Sequence, residues 1–452
     1  MSSTRLNPAL CAAALLAVAA GSIAAQAAPT VALGKTTAKS KYTLGYLFSI
    51  QELADGRVVA SDTKENIFRL VNLSTGEVGS VGKQGDDADS YRSATLVLRL
   101  PGDSLALFDP AGRKLVHVTP QGEVARMVPL PTMSNGRRIG TPLAMDQNGS
   151  IYFTVPERFD TVTRQSTGIG GLTRIGMGAD ADEPQMTYRA RRADQVALKG
   201  RMPYIFKDGI AVRSDGLMAR VVSDSYQVVW GRNGKEVGRT GPIPYTPIAL
   251  TKEEVQATKD SANAFMKQML AGGGRGGPGG ATSFGSSGGM AGASMGGGGE
   301  RIIVMGGGGG GAPMMVGGAG GSVGQMITRE IGAASSDSAR RAGGGNTTVM
   351  NGANINPADL PWGDFPDVKP PIPSQGTVAM FDATGNLWVA RTGKVGDPVP
   401  HYDVIAEGKG LIGHVDLPKG TRLLGFGRNA VYLARNDEGS DWLERYAMPK
   451  LQ

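Results

Sequence analysis

The chain has 452 residues, of which 69 are glycine, and a formal net charge of +7. This length is ample for a large core. A charge this modest, shared between 47 basic and 40 acidic residues, argues against a nucleic-acid partner. The only cysteine is Cys11, so loss of the segment that contains it excludes disulfides, thiolate catalysis and cysteine-bound metals.

The N-terminal segment has the three parts of a secretory signal peptide. Arg5 supplies the positive start, residues 9–20 the apolar core, and residues 25–27 (AQA) a small-x-small cleavage site. We therefore predict that residues 1–27 are removed by cleavage after Ala27 and that the protein is periplasmic or secreted. No later stretch is apolar for long enough to span a membrane, so no transmembrane segment is expected after cleavage.

Short strands dominate the next part of the chain. A flexible tail is expected over residues 28–41, and short alternating apolar segments separated by turns follow it. The turn glycines Gly56, Gly102 and Gly149 recur about 46 residues apart. Four short strands in such a period are typical of one propeller blade. Residues 42–248 are therefore assigned to blades 1 to 4.

The clearest copy of the repeated turn is the sequence FDATGNLWVA at residues 381–390. Asp382 and Gly385 are typical of a tight turn, and the alternating apolar run after them predicts a half-buried strand. Residues 361–448 are assigned to blades 5 and 6 and to ring closure. Because similar turns recur along the chain, we interpret their acidic residues as structural; these are Asp55, Asp109, Asp146, Asp215 and Asp382.

A long insertion separates blade 4 from blade 5. The sequence TKEE at residues 251–254 has a capping-box pattern, and helical spacing of apolar residues then predicts an amphipathic helix over 249–271. The glycine-rich, low-complexity segment 272–360 is expected to be disordered, since it has too little side-chain area to offset its chain entropy. Two proline-rich arms, 241–247 and 361–373, flank the insertion and are expected to lie over one face of the scaffold.

The predicted fold is thus an all-β, six-bladed β-propeller, with five or seven blades as alternatives. Several segments resemble a group of exported bacterial six-bladed propeller proteins of unassigned function, distantly related to propellers with NHL-type repeats. They are DSYQVVW, GPIPYTPIALT, DATGNLWVAR, GDPVPHYDV and LPKGTRLLGFGRNAVYLARNDEGSDWLERY. The resemblance covers residues 44–248 and 361–446. It implies the fold, an extracytoplasmic location and ring closure by an N-terminal strand around Tyr42 to Ser49, but no reaction.

The chain has three histidines, His117, His401 and His414, as candidate metal ligands. A three-histidine zinc site would require them to converge, but His117 belongs to blade 2 and the others to blade 5. We interpret them as exposed or hydrogen-bonded strand residues, which argues against the lyase activity that related propellers carry on metal-binding histidines. Lactonase-like propellers hold a central calcium, but no matching ligand motif is recognisable.

No catalytic constellation is recognised, so catalytic residues stay unassigned, and no cofactor-binding or metal-binding residue is predicted. The leading interpretation is an exported binding scaffold that recognises a protein, peptide or glycan. The alternative is a calcium-dependent hydrolase or lyase that acts in the propeller channel. A third interpretation makes the glycine-rich tract an assembly element.

Overall fold

The chain folds into six blades arranged as a ring. The computed structural model describes residues 28–134, 136, 139–155, 167–176, 182–192, 204–272, 362–374 and 376–451. Six sheets of four or five strands follow one another along the chain. The six-bladed propeller is therefore confirmed, and the alternatives of five or seven blades are wrong. The predicted signal peptide and nearly all of the predicted disordered insertion lie outside the described residues.

Blades 1 to 5 each contain four antiparallel strands in chain order, and blade 6 contains three, which a strand from the N-terminal part of the chain completes. Blade 1 consists of β3 (Leu47–Glu52), β4 (Val58–Asp62), β5 (Ile67–Val71) and β6 (Val78–Ser80). Blade 2 consists of β9 (Leu96–Arg99), β10 (Leu105–Asp109), β11 (Lys114–Val118) and β12 (Val124–Pro129). Blade 3 consists of β13 (Pro142–Met145), β14 (Ile151–Val155), β15 (Ile169–Ile175) and β16 (Asp182–Arg189). The short strands β7 (Lys83–Gln84) and β8 (Ser90–Tyr91) pair with each other between blades 1 and 2.

Blades 4 to 6 continue the same order after the third sheet. Blade 4 consists of β17 (Gly209–Val212), β18 (Met218–Val222), β19 (Gln227–Arg232) and β20 (Lys235–Arg239). Blade 5 consists of β21 (Ala379–Phe381), β22 (Leu387–Ala390), β23 (His401–Ala406) and β24 (Gly410–Asp416). Blade 6 contains β25 (Thr421–Gly427), β26 (Ala430–Asp437) and β27 (Ser440–Ala447). The first strands of neighbouring blades contact one another and surround the central axis. The last strand of each blade lies at the rim.

The core is divided among the six spaces between adjacent blades, which we call seams. One hydrophobic cluster of buried residues fills each seam. Strand alternation explains this division, because successive side chains point to opposite faces of a blade. In β22, for example, Leu387 and Val389 pack in the seam with blade 4, whereas Trp388 packs in the seam with blade 6.

In blades 3 and 5, the turn between the first two strands is held by an aspartate. Asp382 Oδ1 accepts the backbone amides two and four residues later at 2.9 and 3.0 Å, and its Oδ2 accepts the indole N–H of Trp388 at 2.9 Å. Asp146 makes the same two amide contacts and accepts the Tyr152 hydroxyl at 3.2 Å. Gly385 adopts a φ of +87°, which suits glycine at this turn. These acidic residues shape and anchor turns.

Two strands from the N-terminal part of the chain complete the last two blades. β2 (Thr36–Lys39) pairs antiparallel with β27 and becomes the fourth strand of blade 6. β1 (Thr30–Ala32) pairs parallel with β24 and becomes a fifth strand of blade 5. The Ser40 amide extends the first pairing by donating to the Leu443 carbonyl at 2.8 Å. The ring is thus closed by residues that are about 400 positions apart in the sequence.

This arrangement corrects two expectations about the N-terminal part. Residues 28–41 were expected to form a flexible tail, but they contain β1 and β2. Ring closure was expected around Tyr42 to Ser49. In that stretch Leu44 does pair with Asp441 of the last blade, in a single bridge, but Leu47–Glu52 is the innermost strand of blade 1 and the closing strand is β2. The closing strand has mainly exposed polar side chains, as in the sequence TTAK, because it covers a rim edge. Such a strand lacks the alternating apolar pattern by which strands are predicted from a sequence.

The insertion after blade 4 begins with the predicted helix. Helix α1 spans Lys252–Gly272, close to the predicted 249–271. The capping box is present: the Thr251 amide donates to Glu254 Oε2 at 3.0 Å, and the Glu254 amide donates to Thr251 Oγ1 at 3.2 Å. Among the described residues, no helix is long and apolar enough to cross a membrane.

Ring closure can be tested with two matched truncations. A chain that begins at Ser40 loses β2 and leaves the edge of β27 open; we expect its unfolding free energy to fall by about 3 kcal/mol or more, since each lost strand hydrogen bond contributes about 1 kcal/mol. A chain that begins at Leu33 keeps β2 and should lose less. Urea unfolding followed by tryptophan fluorescence measures both. Equal losses would contradict the assignment of ring closure to β2.

Candidate functional site between blades 4 and 5

The features that distinguish this chain from a regular propeller meet at the seam between blades 4 and 5. The two arms of the insertion pair with each other there, because the Leu250 amide donates to the Asp367 carbonyl at 3.0 Å and the Lys369 amide donates to the Ile248 carbonyl at 2.8 Å. The chain therefore leaves and re-enters the propeller at one place.

A buried ion pair ties this crossing point to blade 5. The ammonium of Lys369 lies 2.5 Å from Glu254 Oε1, and the two side chains are only 4% and 8% exposed. The same ammonium donates to the Gly393 carbonyl at 3.2 Å. Glu254 also caps α1, so helix, returning arm and the loop of blade 5 are joined through two side chains. Loss of either partner would leave a buried charge uncompensated.

Five ionisable residues form a second feature of the seam, which we call the acid–histidine cluster. It consists of Asp397, His401, Asp403, His414 and Asp416. Four of them lie on the paired strands β23 and β24, where His401 is directly opposite Asp416 and Asp403 directly opposite His414. Antiparallel pairing thus joins each histidine to an aspartate of the other strand.

His401 lies between two carboxylates. Its Nδ1 is 2.6 Å from Asp416 Oδ1, and its Nε2 is 3.0 Å from Asp397 Oδ2. Partial burial alone would lower the pKa of His401, but the hydrogen bonds and charges of the two aspartates outweigh it and raise that pKa. The hydrogen bond from His401 in turn lowers the pKa of Asp397. Only the imidazolium form can donate from both nitrogens, so the arrangement stabilises positively charged His401.

Asp403 is the buried centre of the cluster, with no exposed side-chain surface. Its Oδ1 lies 2.6 Å from His414 Nδ1, and its Oδ2 accepts the hydroxyl of Tyr226 in blade 4. Arg391 Nη1 is 3.7 Å from Oδ1. Burial, followed by the charge of Asp403, raises the pKa of Tyr226 well above its usual value, so the phenol remains a donor. The hydrogen bond from Tyr226 to Asp403 links blade 4 to blade 5 across the seam.

The cluster has the geometry of a cross-link. Both nitrogens of His401 face carboxylates, which leaves no lone pair of the charged ring for a metal ion. Within the described ranges, no group of three or more histidine, cysteine, aspartate or glutamate side chains is placed to hold a metal. His117 lies apart on β11 in blade 2, where its Nδ1 faces Arg126 at 3.5 Å. The three histidines therefore do not converge, as their blade positions predicted.

A groove of about 380 Å³ opens in the same seam. Residues 237–241 form one side, the hairpin residues 407–410 form the other, and the buried Trp230 also lines it. Val237 is 54% exposed beside the groove. The charges at its rim are partly paired, since Glu407 lies 3.2 Å from Arg213. The groove therefore combines apolar surface, exposed backbone and a few charges.

The acid–histidine cluster was not predicted from the sequence, because only a convergence of the three histidines was considered. A local signal was present: His-x-Asp occurs at residues 401–403 and again at 414–416. On two strands of one antiparallel hairpin, such a repeat places each histidine opposite an aspartate when the register matches. The register itself became visible only in the sheet.

Comparison with known proteins supports no transfer of activity. No protein-family model matches the chain, and no curated protein matches it by sequence. Similar solved structures include a DUF4221 family member from Bacteroides vulgatus (8% identity, 93% of this chain and 97% of that chain, TM-score 0.45) and the calcium-binding regucalcin from Agrobacterium tumefaciens (9%, 94% and 98%, 0.36). A PQQ-bound aldose sugar dehydrogenase from Streptomyces coelicolor is similar too (10%, 92% and 97%, 0.37).

The resemblance to six-bladed propellers that the sequence predicts is confirmed at the level of the fold by the six sheets of this chain. At these identities and TM-scores, neither the calcium of one neighbour nor the cofactor of another is carried over to this chain. The protein therefore belongs to the class of six-bladed β-propellers, and the evidence for this class is the arrangement of sheets and seams in this chain itself.

The raised pKa of His401 predicts how the unfolding free energy of the protein depends on pH. The two aspartates stabilise the charged ring in the folded state only, so the contribution is complete below the ordinary histidine pKa and is lost as pH rises through the raised value. We expect His401→Gln to lower the unfolding free energy by about 1–2 kcal/mol at pH 5.5 and by much less at pH 9.

Urea unfolding of the two chains at both pH values measures this difference. His117→Gln is the matched control, because burial, followed by the charge of Arg126, lowers the pKa of His117. Its effect should have the opposite pH trend, since protonation of His117 disfavours the folded state. A His401→Gln effect that is independent of pH would show that the ion pairs contribute nothing to folding.

Proposed function

We propose that this protein is an exported binding scaffold and that the groove between blades 4 and 5 receives an extended segment of a protein or peptide ligand. The groove carries the proposal, because it is open, has both apolar and hydrogen-bonding surface and lies where the insertion interrupts the propeller. Loops and insertions on a rigid scaffold are common binding sites. The buried ion pair and the Asp403 cross-link keep the two blades in register beside it.

The edge of β20 favours a peptide over other ligands. β20 is the last strand of its sheet, and the described part of the chain places no strand beyond it. Its residues are mainly exposed, including Val237 at 54%. An open edge offers unpaired amides and carbonyls to an extended chain, and an adjacent pocket can select one of its side chains. Lys409 at the opposite rim is exposed and suits a ligand with a carboxylate.

Export belongs to the same proposal. It is supported by the small-x-small site that ends at Ala27 and by the first described strand, which begins at Thr30. Cleavage after Ala27 would leave β1 and β2 intact for blades 5 and 6. Intact mass of the protein recovered from the periplasm or the medium gives the first residue. A cut beyond Lys39 would contradict this assignment, because it would remove the closing strand.

The groove can be tested with a phage-displayed random peptide library selected on the immobilised chain. Affinities of the enriched peptides for the purified protein are then measured by calorimetry. We expect Val237→Asp to weaken binding at least about tenfold, which corresponds to 1.4 kcal/mol, because it places a charge beside the apolar surface. Lys409→Glu should weaken the binding of peptides that carry carboxylates, because it replaces the positive charge at the rim of the groove with a negative one.

Val124→Asp is the matched control, since Val124 is 38% exposed on β12, the equivalent rim strand of blade 2. It should leave binding unchanged. Failure to enrich any peptide, or equal losses with Val237→Asp and Val124→Asp, would refute the groove as the site. Saturable Ca²⁺ binding together with turnover of an ester or lactone substrate would instead favour an enzyme.

A further inference from the structure

The strand β1 has no necessary part in building the propeller. Blade 5 already contains the four antiparallel strands that every other blade has, and β1 is a fifth. It runs parallel to β24, whereas the other strand pairs within the described blades are antiparallel. Ring closure is supplied by β2 in blade 6. A strand added to a complete blade therefore needs another explanation.

The contact between β1 and blade 5 is small. Only three residue pairs match, from Thr30 opposite His414 to Ala32 opposite Asp416. Thr30 and Ala32 are exposed, and Val31 alone is half-buried. The His414 amide donates to the Pro29 carbonyl at 2.8 Å, and the Leu33 amide donates to the Asp416 carbonyl at 3.1 Å. Backbone hydrogen bonds and one side chain hold the segment, since Leu33, directly after β1, is buried in the hydrophobic cluster between blades 5 and 6. Backbone pairing with one anchoring side chain is also how a bound peptide is held.

The surface under β1 allows close approach of a second chain. A side chain at Gly413 would place its Cβ 2.8 Å from Leu451 Cδ2 and 3.4 Å from the Pro29 carbonyl oxygen. The glycine therefore makes room chiefly for the Leu451 side chain, which lies beside the edge of β24, while the Pro29 carbonyl lies at an ordinary contact distance. The edge combines backbone donors and acceptors with a small apolar contact, which are the two elements of peptide recognition by strand addition.

We propose that the outer edge of β24 is a binding site for an extended segment of another protein and that β1 occupies this site until such a segment displaces it. The incoming strand would run parallel to β24. Its chemistry is indicated by the present occupant: a buried aliphatic residue at the position of Leu33, a second aliphatic residue at that of Val31, and small or hydroxyl-bearing residues as at Thr30 and Ala32. This site differs from the groove beside β20, and the proposal does not depend on that groove.

A second copy of this chain is a poor source of the displacing strand. Only residues 33–35 connect β1 to β2, and three residues span at most about 11 Å. Because β2 closes the ring of its own copy, β1 cannot extend far from that ring while β2 remains paired. A foreign segment has no such restriction.

The experiment uses the full chain and a fluorescein-labelled synthetic peptide with the sequence PTVALG, that of residues 29–34. Val31→Asp introduces a charge at the half-buried position and should release β1. We expect the variant to bind the peptide at least about tenfold more tightly than the unmodified chain, because β1 competes at the high effective concentration of a linked segment. Fluorescence anisotropy measures both affinities.

Three controls separate strand addition from other effects. Val237→Asp should bind the peptide no better than the unmodified chain, since Val237 lies on β20 and not on β24. In the Val31→Asp chain, Gly413→Val should weaken binding, because its side chain displaces Leu451 and crowds the edge, whereas Gly79→Val should not, because a side chain at Gly79 would meet no atom within 4 Å. A peptide with aspartate in place of its valine should not bind.

Hydrogen exchange of the His414 and Leu33 amides reports whether β1 has left, since both donate across the β1–β24 pairing. Fast exchange in Val31→Asp without peptide binding would overturn the proposal, and so would equal affinity of both chains for the peptide. Slow exchange would show that β1 is not displaceable and would overturn it too. Dimerisation of Val31→Asp without peptide would assign the edge to a second copy instead.

Discussion

The pairing of β2 with β27 is the constraint on which the rest of this structure depends. A propeller blade buries its faces only against its two neighbours, so a ring that is open at one seam exposes two of them to water. Here the sixth blade takes its fourth strand from the N-terminal part of the chain. Closure therefore couples the first and last blades and keeps each of the six clusters enclosed between two sheets.

The seam between blades 4 and 5 combines this packing with polar contacts. Its hydrophobic cluster includes Trp230, Ile243 and Leu387, while Asp403 joins the two blades through Tyr226 and His414. A buried carboxylate is costly unless its oxygens accept hydrogen bonds. Because those bonds require one relative position of the two blades, the seam is geometrically specific where the insertion interrupts the ring.

Rim strands connect the fold to both proposals. In blades 5 and 6 the rim is occupied by N-terminal strands, whereas the edge of β20 in blade 4 has no strand beside it in the described part of the protein. Backbone pairing at an edge is largely independent of side chains, so the same surface can accept the chain's own segment or another. Neighbouring rims can in this way carry an open site and a self-occupied one.

The amino-acid sequence by itself determined the local units: turns such as Asp382 to Gly385, alternating strands, their repetition as blades, and the capping box that starts α1. Those features depend on residues a few positions apart. Tertiary structure alone decided that Thr36–Lys39 closes the ring, that the arms pair at Ile248 and Lys369, and that His401 and His414 face aspartates on the opposite strand. The alternation of apolar and polar residues shows which side of a strand is buried. Backbone hydrogen bonds, in contrast, are nearly the same for every residue, so they do not show in the sequence which strand pairs with which, or in what register. The partner and the register of each strand are therefore fixed only when the whole ring is assembled.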